Sequence, residues 1–135
     1  LEAESNKVGD LLIPGSVWKA MLAAPRIEVS APLTDRAAHL IETYTELTSD
    51  PAAVSAILEK LRPYHPGDRI AEWQSLTGTG DFHRLCTELM RDHYDPRYAK
   101  SSARKTAAVA RYELTDLSDA TLRDTAKRLI EAQGL

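Results

Sequence analysis

Apolar residues recur along this chain at two spacings, and the switches between them mark out its elements. Val17, Trp18, Met21 and Leu22 repeat at helical spacing between Pro14-Gly15 and Pro25, which predicts an amphipathic helix from about Ser16 to Ala24. Arg26-Ile27-Glu28-Val29-Ser30-Ala31 alternates instead, and predicts a strand with Ile27, Val29 and Ala31 on its buried face. Thr34 is placed to cap the next helix, with Ala37, Leu40, Ile41, Tyr44 and Leu47 along one side. Asp50-Pro51 opens another, carrying Val54, Ile57, Leu58 and Leu61 until Pro63 stops it. Ile70, Trp73 and Leu76 outline a shorter helix ending by Gly78. Asp81 caps its successor, where Phe82, Leu85, Cys86, Leu89, Met90 and His93 form a broad apolar face.

Asp95 and Pro96 then read as a fresh cap and first turn, since a proline there loses no hydrogen bond. Ala110, Tyr112 and Leu114 return to strand spacing. Ser118 caps a last helix with Leu122, Ala126, Leu129 and Ile130 inside and Gly134 past its end. Leu1 to Ser5 reads as the end of a strand that begins earlier, followed by the short apolar run Leu11-Leu12-Ile13. Strands separated by helices predict an α/β fold with a parallel sheet, although the segment itself is predominantly helical. The expected divisions are residues 1–49 as a partial α/β segment, 50–105 as a helical subdomain, and 106–135 as a final strand and helix.

At 135 residues, 43% hydrophobic and 27% charged, the chain has the composition of one soluble globular domain. Its net charge of -3 offers no global attraction to nucleic acid or to an anionic membrane, so a polyanion contact needs a local patch. The apolar runs are too short to span a bilayer and the first residues lack signal-peptide character, so a soluble, cytoplasmic protein is expected. One cysteine excludes a disulfide framework, and Cys86 reads as a small buried hydrophobe. His39, His65, His83 and His93 are widely separated and share no ligand spacing, so no metal site is expected. His93 stands out because it closes an apolar face just before Tyr94 and Asp95. The chain has no phosphate-loop, dinucleotide or nucleophile-elbow motif, and Gly78-Thr79-Gly80 serves as a helix-ending turn.

The patch is supplied by Arg97, Lys100 and Arg104, which fall at i, i+3 and i+7 with Ser101 beside them. Such a face can bind phosphate. Cations late in a helix also complement its dipole and are often simply solvated, so the stripe has two readings. Glu2 and Glu4 sit on one side of the presumed first strand near its end, where open α/β sheets gather ligands, or are plain exposed carboxylates.

Four blocks then stand in a specific order: Glu2-Ala3-Glu4-Ser5-Asn6-Lys7-Val8-Gly9, the segment from Ile13-Pro14 to Trp18, Ala24-Pro25-Arg26-Ile27-Glu28, and His93-Tyr94-Asp95-Pro96-Arg97-Tyr98 with Ser101. In order and spacing they resemble the C-terminal region of bacterial tRNA 2-selenouridine synthases. Trp73-Gln74-Ser75-Leu76 and Gly80-Asp81-Phe82 look familial too, and the resemblance covers most of Leu1 to Arg104. It implies a transferase that replaces the sulfur of wobble 2-thiouridine in tRNA with selenium through an S-geranylated uridine. Geranyl diphosphate and then selenophosphate are the substrates of the parent enzyme.

Such enzymes join a rhodanese-like domain, which carries a reactive cysteine, to a P-loop domain. This chain has neither the rhodanese cysteine loop nor the P-loop lysine, and Cys86 does not stand in the rhodanese position. The resemblance therefore implies the C-terminal part of a P-loop-type parallel sheet with a mostly helical insertion, inactive alone, with no cofactor of its own. Its partners would be thiolated tRNA and the upstream P-loop and rhodanese-like domains. The Arg97, Lys100, Ser101 and Arg104 face would meet the tRNA backbone or an anionic substrate, with Arg26 and Arg36 flanking the second strand and able to reach the same crevice. No residue takes the role of nucleophile or base. Two other readings stay open: a fragment of a small P-loop kinase, supported by the strand-end acids and Arg36, and a noncatalytic helical interaction domain.

Overall fold

The structure is a computed structural model, and it describes residues 6–8, 10–102 and 107–134. In chain order the elements are β1 (Lys7–Val8), β2 (Leu11–Leu12), α1 (Gly15–Ala23), β3 (Arg26–Ser30), α2 (Leu33–Thr43), α3 (Thr45–Thr48), α4 (Pro51–Glu59), α5 (Gly67–Thr79) and α6 (Phe82–Leu89). A π-helical turn (Met90–Tyr94), α7 (Asp95–Ser102), β4 (Ala108–Glu113) and α8 (Asp119–Gln133) complete it. The fold is mainly helical with a small parallel pair of strands. Its elements divide into two compact units, residues 32–93 in one and the chain on either side of them in the other. The strand Leu1–Ser5 expected from sequence lies outside the described residues.

In the unit of residues 32–93, α2 packs on α6, α4 on α5 and α5 on α6. Leu58, Ile70, Trp73 and Leu85 are fully buried at the centre, and Val54, Leu61, Leu76, Phe82 and Leu89 pack around them. Each such side chain contributes about 1.5–3 kcal/mol when taken out of water, so this cluster is where the unit's stability lies. Local chemistry ends each helix where the packing needs it. The Asp50 carboxylate accepts from Ala53 N at 3.0 Å with Pro51 opening α4, and the Asp81 carboxylate accepts from Arg84 N at 3.3 Å. Gly80 adopts φ 75° past the end of α5, a left-handed conformation that costs glycine nothing.

Three expectations are corrected, two of them in this unit and the third just past its end. Thr34 does not cap α2: the helix starts at Leu33 behind Pro32, and the Thr34 hydroxyl turns to the Asp35 carboxylate. Helix α5 runs to Thr79 rather than ending by Gly78, because Gly80 supplies the stop. Asp95-Pro96 is no abrupt start either. The chain is already helical through Met90–Tyr94, and the widened π turn lies directly before Pro96, whose ring would clash with the carbonyl of Asp92 and which has no amide to donate.

In the other unit, β1 and β2 form a two-residue antiparallel ladder, and β3 pairs with β4 in parallel. Arg26 faces Ala108 but Ile27 faces Ala110, so the ladder skips Val109 and then runs on to Ser30 opposite Glu113. Leu114 N donates to Ser30 O at 2.8 Å, and Arg111 Nε bridges to Glu28 Oε2 at 3.1 Å across the strands. Ser118 caps α8 through Thr121 N, and Gly134 closes it at φ 67°. The inward faces expected here are covered only in part: Ile27, Ala110 and Tyr112 are partly buried and Leu114 is buried, but Val29 is 52% exposed, and Leu122 and Ile130 of α8 are exposed. Val109, which the ladder skips, is 61% exposed. Leu114 is the buried apolar side chain among this unit's described residues.

Candidate functional site

The residues with chemistry collect in two places. One is a polar cluster in the unit of residues 32–93. The other is the exposed face of α7.

The cluster grows around Trp73, which is 0% exposed. Its indole Nε1 donates to Glu88 Oε2 at 3.2 Å, the Arg69 guanidinium lies 5.2 Å from its ring centre, and His65 meets the ring edge-on at 4.9 Å. Glu88 takes a second bond from Arg84 Nε at 2.9 Å, with Arg69 at 3.3 Å. Burial alone would raise the Glu88 pKa, but the Arg84 hydrogen bond, the Arg69 charge and the indole donor outweigh it and hold the carboxyl below its ordinary value. Asp92 is pinned by Arg91 at 2.6 and 2.9 Å and by Arg69. The Arg91 hydrogen bond leads in pulling its pKa from 3.8 to about 2, against burial and with Arg69 assisting.

Beside them His65 Nε2 and His93 Nδ1 lie 2.9 Å apart, with the Tyr64 ring 5.7 Å from that of His93. One imidazole donates to the other, so the two tautomers are complementary. Sequence spacing treated these histidines as separate. They are 28 positions apart, and the contact exists because α5 and α6, which lie between them, return the chain to His65 at the turn that carries His93. Every carboxylate of the cluster is held by arginine, so none remains as a general base. The arrangement clasps helices together. No group of three or more histidine, cysteine, aspartate or glutamate side chains placed to hold a metal occurs among the described residues. Burial pushes the half-buried Cys86 thiol up, which suits a packing role rather than a nucleophile.

The face of α7 is exposed to solvent. Arg97 and Lys100 are exposed on one side of the helix, as their spacing requires. Tyr94 and Tyr98, one turn apart, are 55% and 45% exposed. Arg104 lies outside the described residues, as do Glu2 and Glu4, and of Ser101 only its place in the helix is described.

Arg26 and Arg36 lie on elements other than α7. Arg26 begins β3, so at about 3.3 Å per residue it stands a full strand length from the carboxyl end where the shared crevice was expected. Its Nε and Nη1 atoms are buried and find no acceptor among the described residues. Arg36 sits partly buried in α2, in the unit of residues 32–93. A shallow depression beside α3 and α4 is lined by Thr43, Tyr44, Thr45, Glu46, Asp50 and Ala53, and with two carboxylates and no cation it repels anions. No helix among the described residues is long and apolar enough to cross a membrane. Comparison with protein-family models, with curated proteins and with solved structures finds no match to this chain.

Proposed function

We propose that this chain is the C-terminal portion of a cytoplasmic tRNA-modifying enzyme that exchanges the sulfur of a wobble 2-thiouridine for selenium through an S-geranylated intermediate, and that its share of the work is binding. The ordered sequence blocks suggest the reaction. The observation that carries the assignment to a larger α/β enzyme is the parallel pair β3–β4, only two strands wide and only partly covered. Parallel sheets occur with both faces covered, and a two-stranded one is marginal alone. Here Val29 and Val109 stay exposed on the strands.

Further strands of a P-loop sheet, supplied upstream in the parent enzyme, would cover those side chains. They would also bring an acceptor to the buried Arg26 N–H groups, which otherwise cost about 1–3 kcal/mol or more when unsatisfied. The exposed cations of α7 suit the anions of this reaction, namely geranyl diphosphate, selenophosphate and the tRNA backbone. The chemistry itself belongs to the upstream rhodanese-like and P-loop domains.

Two measurements test this. The chain alone, given thiolated tRNA, geranyl diphosphate and selenophosphate, should form no selenouridine, and turnover at the rate of a longer parent would overturn the reading. In that parent, Arg97→Ala, Lys100→Ala and Arg104→Ala should each weaken tRNA binding and lower the salt-dependence slope by about one, with unchanged circular dichroism melts. Unaltered affinity and slope in all three would make the face merely solvated.

A further inference from the structure

We infer that the free edge of β3 is a docking edge, which in the parent enzyme pairs with one further extended strand carrying a hydrogen-bond acceptor at the level of Arg26. This rests on the reading above and deepens it, because it names which edge meets the rest of the sheet and the chemistry of the strand that meets it.

The backbone fixes which groups face outward. Leu114 N donates to Ser30 O at 2.8 Å, so the carbonyl of Ser30 points at β4. In a strand the N–H and C=O of one residue point the same way and successive residues alternate, so Glu28 also faces β4 while Ile27 and Val29 present both groups at the opposite edge. Among the described residues no hydrogen bond reaches those groups from outside the β3–β4 ladder. By the same count the free edge of β4 presents Arg111 and Glu113.

The two edges are built differently. Strand β4 carries the devices that keep an edge single, namely the exposed charges of Arg111 and Glu113 and the register skip at Val109. Strand β3 has no such guard at its centre. Ile27 and Val29 are apolar, and the Glu28 carboxylate is turned to Arg111 across the ladder at 3.1 Å. An unguarded edge on a sheet of two strands is a template for another strand.

The side chains say what that strand carries. Ile27 and Val29 share a face with Ala110 and Tyr112, and Val29 is 52% exposed, so an apolar residue across the new ladder would cover it. Arg26 stands at the amino end of β3 with Nε and Nη1 buried and without an acceptor, and a carboxylate is the best match for a guanidinium. A phosphate-bearing substrate does not suit this end, because ligands of parallel sheets gather beyond the carboxyl ends of the strands. A second copy related by a two-fold axis would add antiparallel. The existing pair is parallel, the sense that one chain builds through crossover connections, so the occupant is a strand of the parent itself.

Amide hydrogen exchange on this chain and on the full-length parent tests the edge. In this chain the Glu28 and Ser30 amides should be protected and those of Ile27 and Val29 should exchange freely. In the parent, Ile27 and Val29 should slow by about a hundredfold or more while Arg111 and Glu113 stay fast. Val29→Pro removes an outward N–H only, so it should lower the melting temperature of the parent by about 2 °C or more beyond the effect of Glu113→Pro, and the two should act alike in this chain. Ile27 and Val29 amides that stay fast in the parent, or slowing at Arg111 and Glu113 instead, would overturn the inference. Slowing of Ile27 and Val29 already in this chain would give the edge to a second copy if it grew with concentration, or to this chain's own residues if it did not, and overturn it either way. A parent that makes selenouridine while those two amides stay fast keeps the proposed function and loses the docking edge. One with slowed amides and no selenouridine keeps the edge and loses the function.

Discussion

Asp92 lies between two guanidiniums, which hold its carboxyl well below the usual carboxylate range. Its pKa in the folded chain is about 2 against an ordinary 3.8, the Arg91 hydrogen bond being the main cause. A depressed carboxylate stabilises the fold fully above its unfolded pKa, and that stabilisation disappears as pH falls through the folded value. The window is thus from about pH 4 down to about 2, with a contribution at neutral pH of order 2 kcal/mol. Glu88 is shifted in the same direction and adds to the loss. Urea denaturation of Asp92→Asn should show about 2 kcal/mol less stability than wild type at pH 7 and a smaller difference at pH 2.5. A difference that stayed constant across that range would show that Asp92 acts through packing rather than charge.

Helices in this chain are bounded by local chemistry, and their ends should respond to substitution one cap at a time. At Gly80 an added Cβ would meet no atom within 4 Å, so Gly80→Ala carries only the left-handed backbone penalty at φ 75°. About 1 kcal/mol of destabilisation is expected in thermal melts, with a similar loss for Asp50→Ala, whose carboxylate holds Ala53 N. A neutral Gly80→Ala would mean that the end of α5 unwinds to relieve the residue. Most of these caps were readable in advance: Asp50, Asp81, Ser118 and Gly134 act on neighbours within a few positions, whereas the stop of α5 was expected at Gly78 and falls at Gly80. The parallel sense of β3 and β4 followed from the helices between them.

What could not be read is what depends on distant chain. Nothing local says that Thr34 will yield the cap to Pro32, or that the helix will widen into a π turn and pass Asp95 instead of starting there. The pairing of His65 with His93 needs two helices to bring the rings together. Alternation along β3 identified a strand correctly, but not that Val29 would stay exposed, since the period of a strand names its two faces without saying which one is covered. Of the α7 face, the cations were legible as a helical stripe from their i, i+3 spacing alone.

Across the whole molecule, the buried apolar core is unequally shared. Leu58, Ile70, Trp73 and Leu85 lie in residues 32–93, whereas the described residues on either side contribute Leu114. A domain of roughly 60 residues is near the lower limit for folding on one core. This one, however, has four fully buried centres ringed by partly buried neighbours and satisfied capping groups. The segment of residues 32–93 should therefore fold when expressed by itself. It contains Trp73 and excludes Trp18, so its fluorescence reports on one buried indole. A cooperative urea transition is expected, with Trp73 emission and far-ultraviolet circular dichroism changing together. Leu58→Ala should cost about 2–5 kcal/mol, comparable to the total stability of so small a unit, and should abolish the transition. A broad, probe-dependent transition in the unaltered segment would show that its core requires the flanking chain.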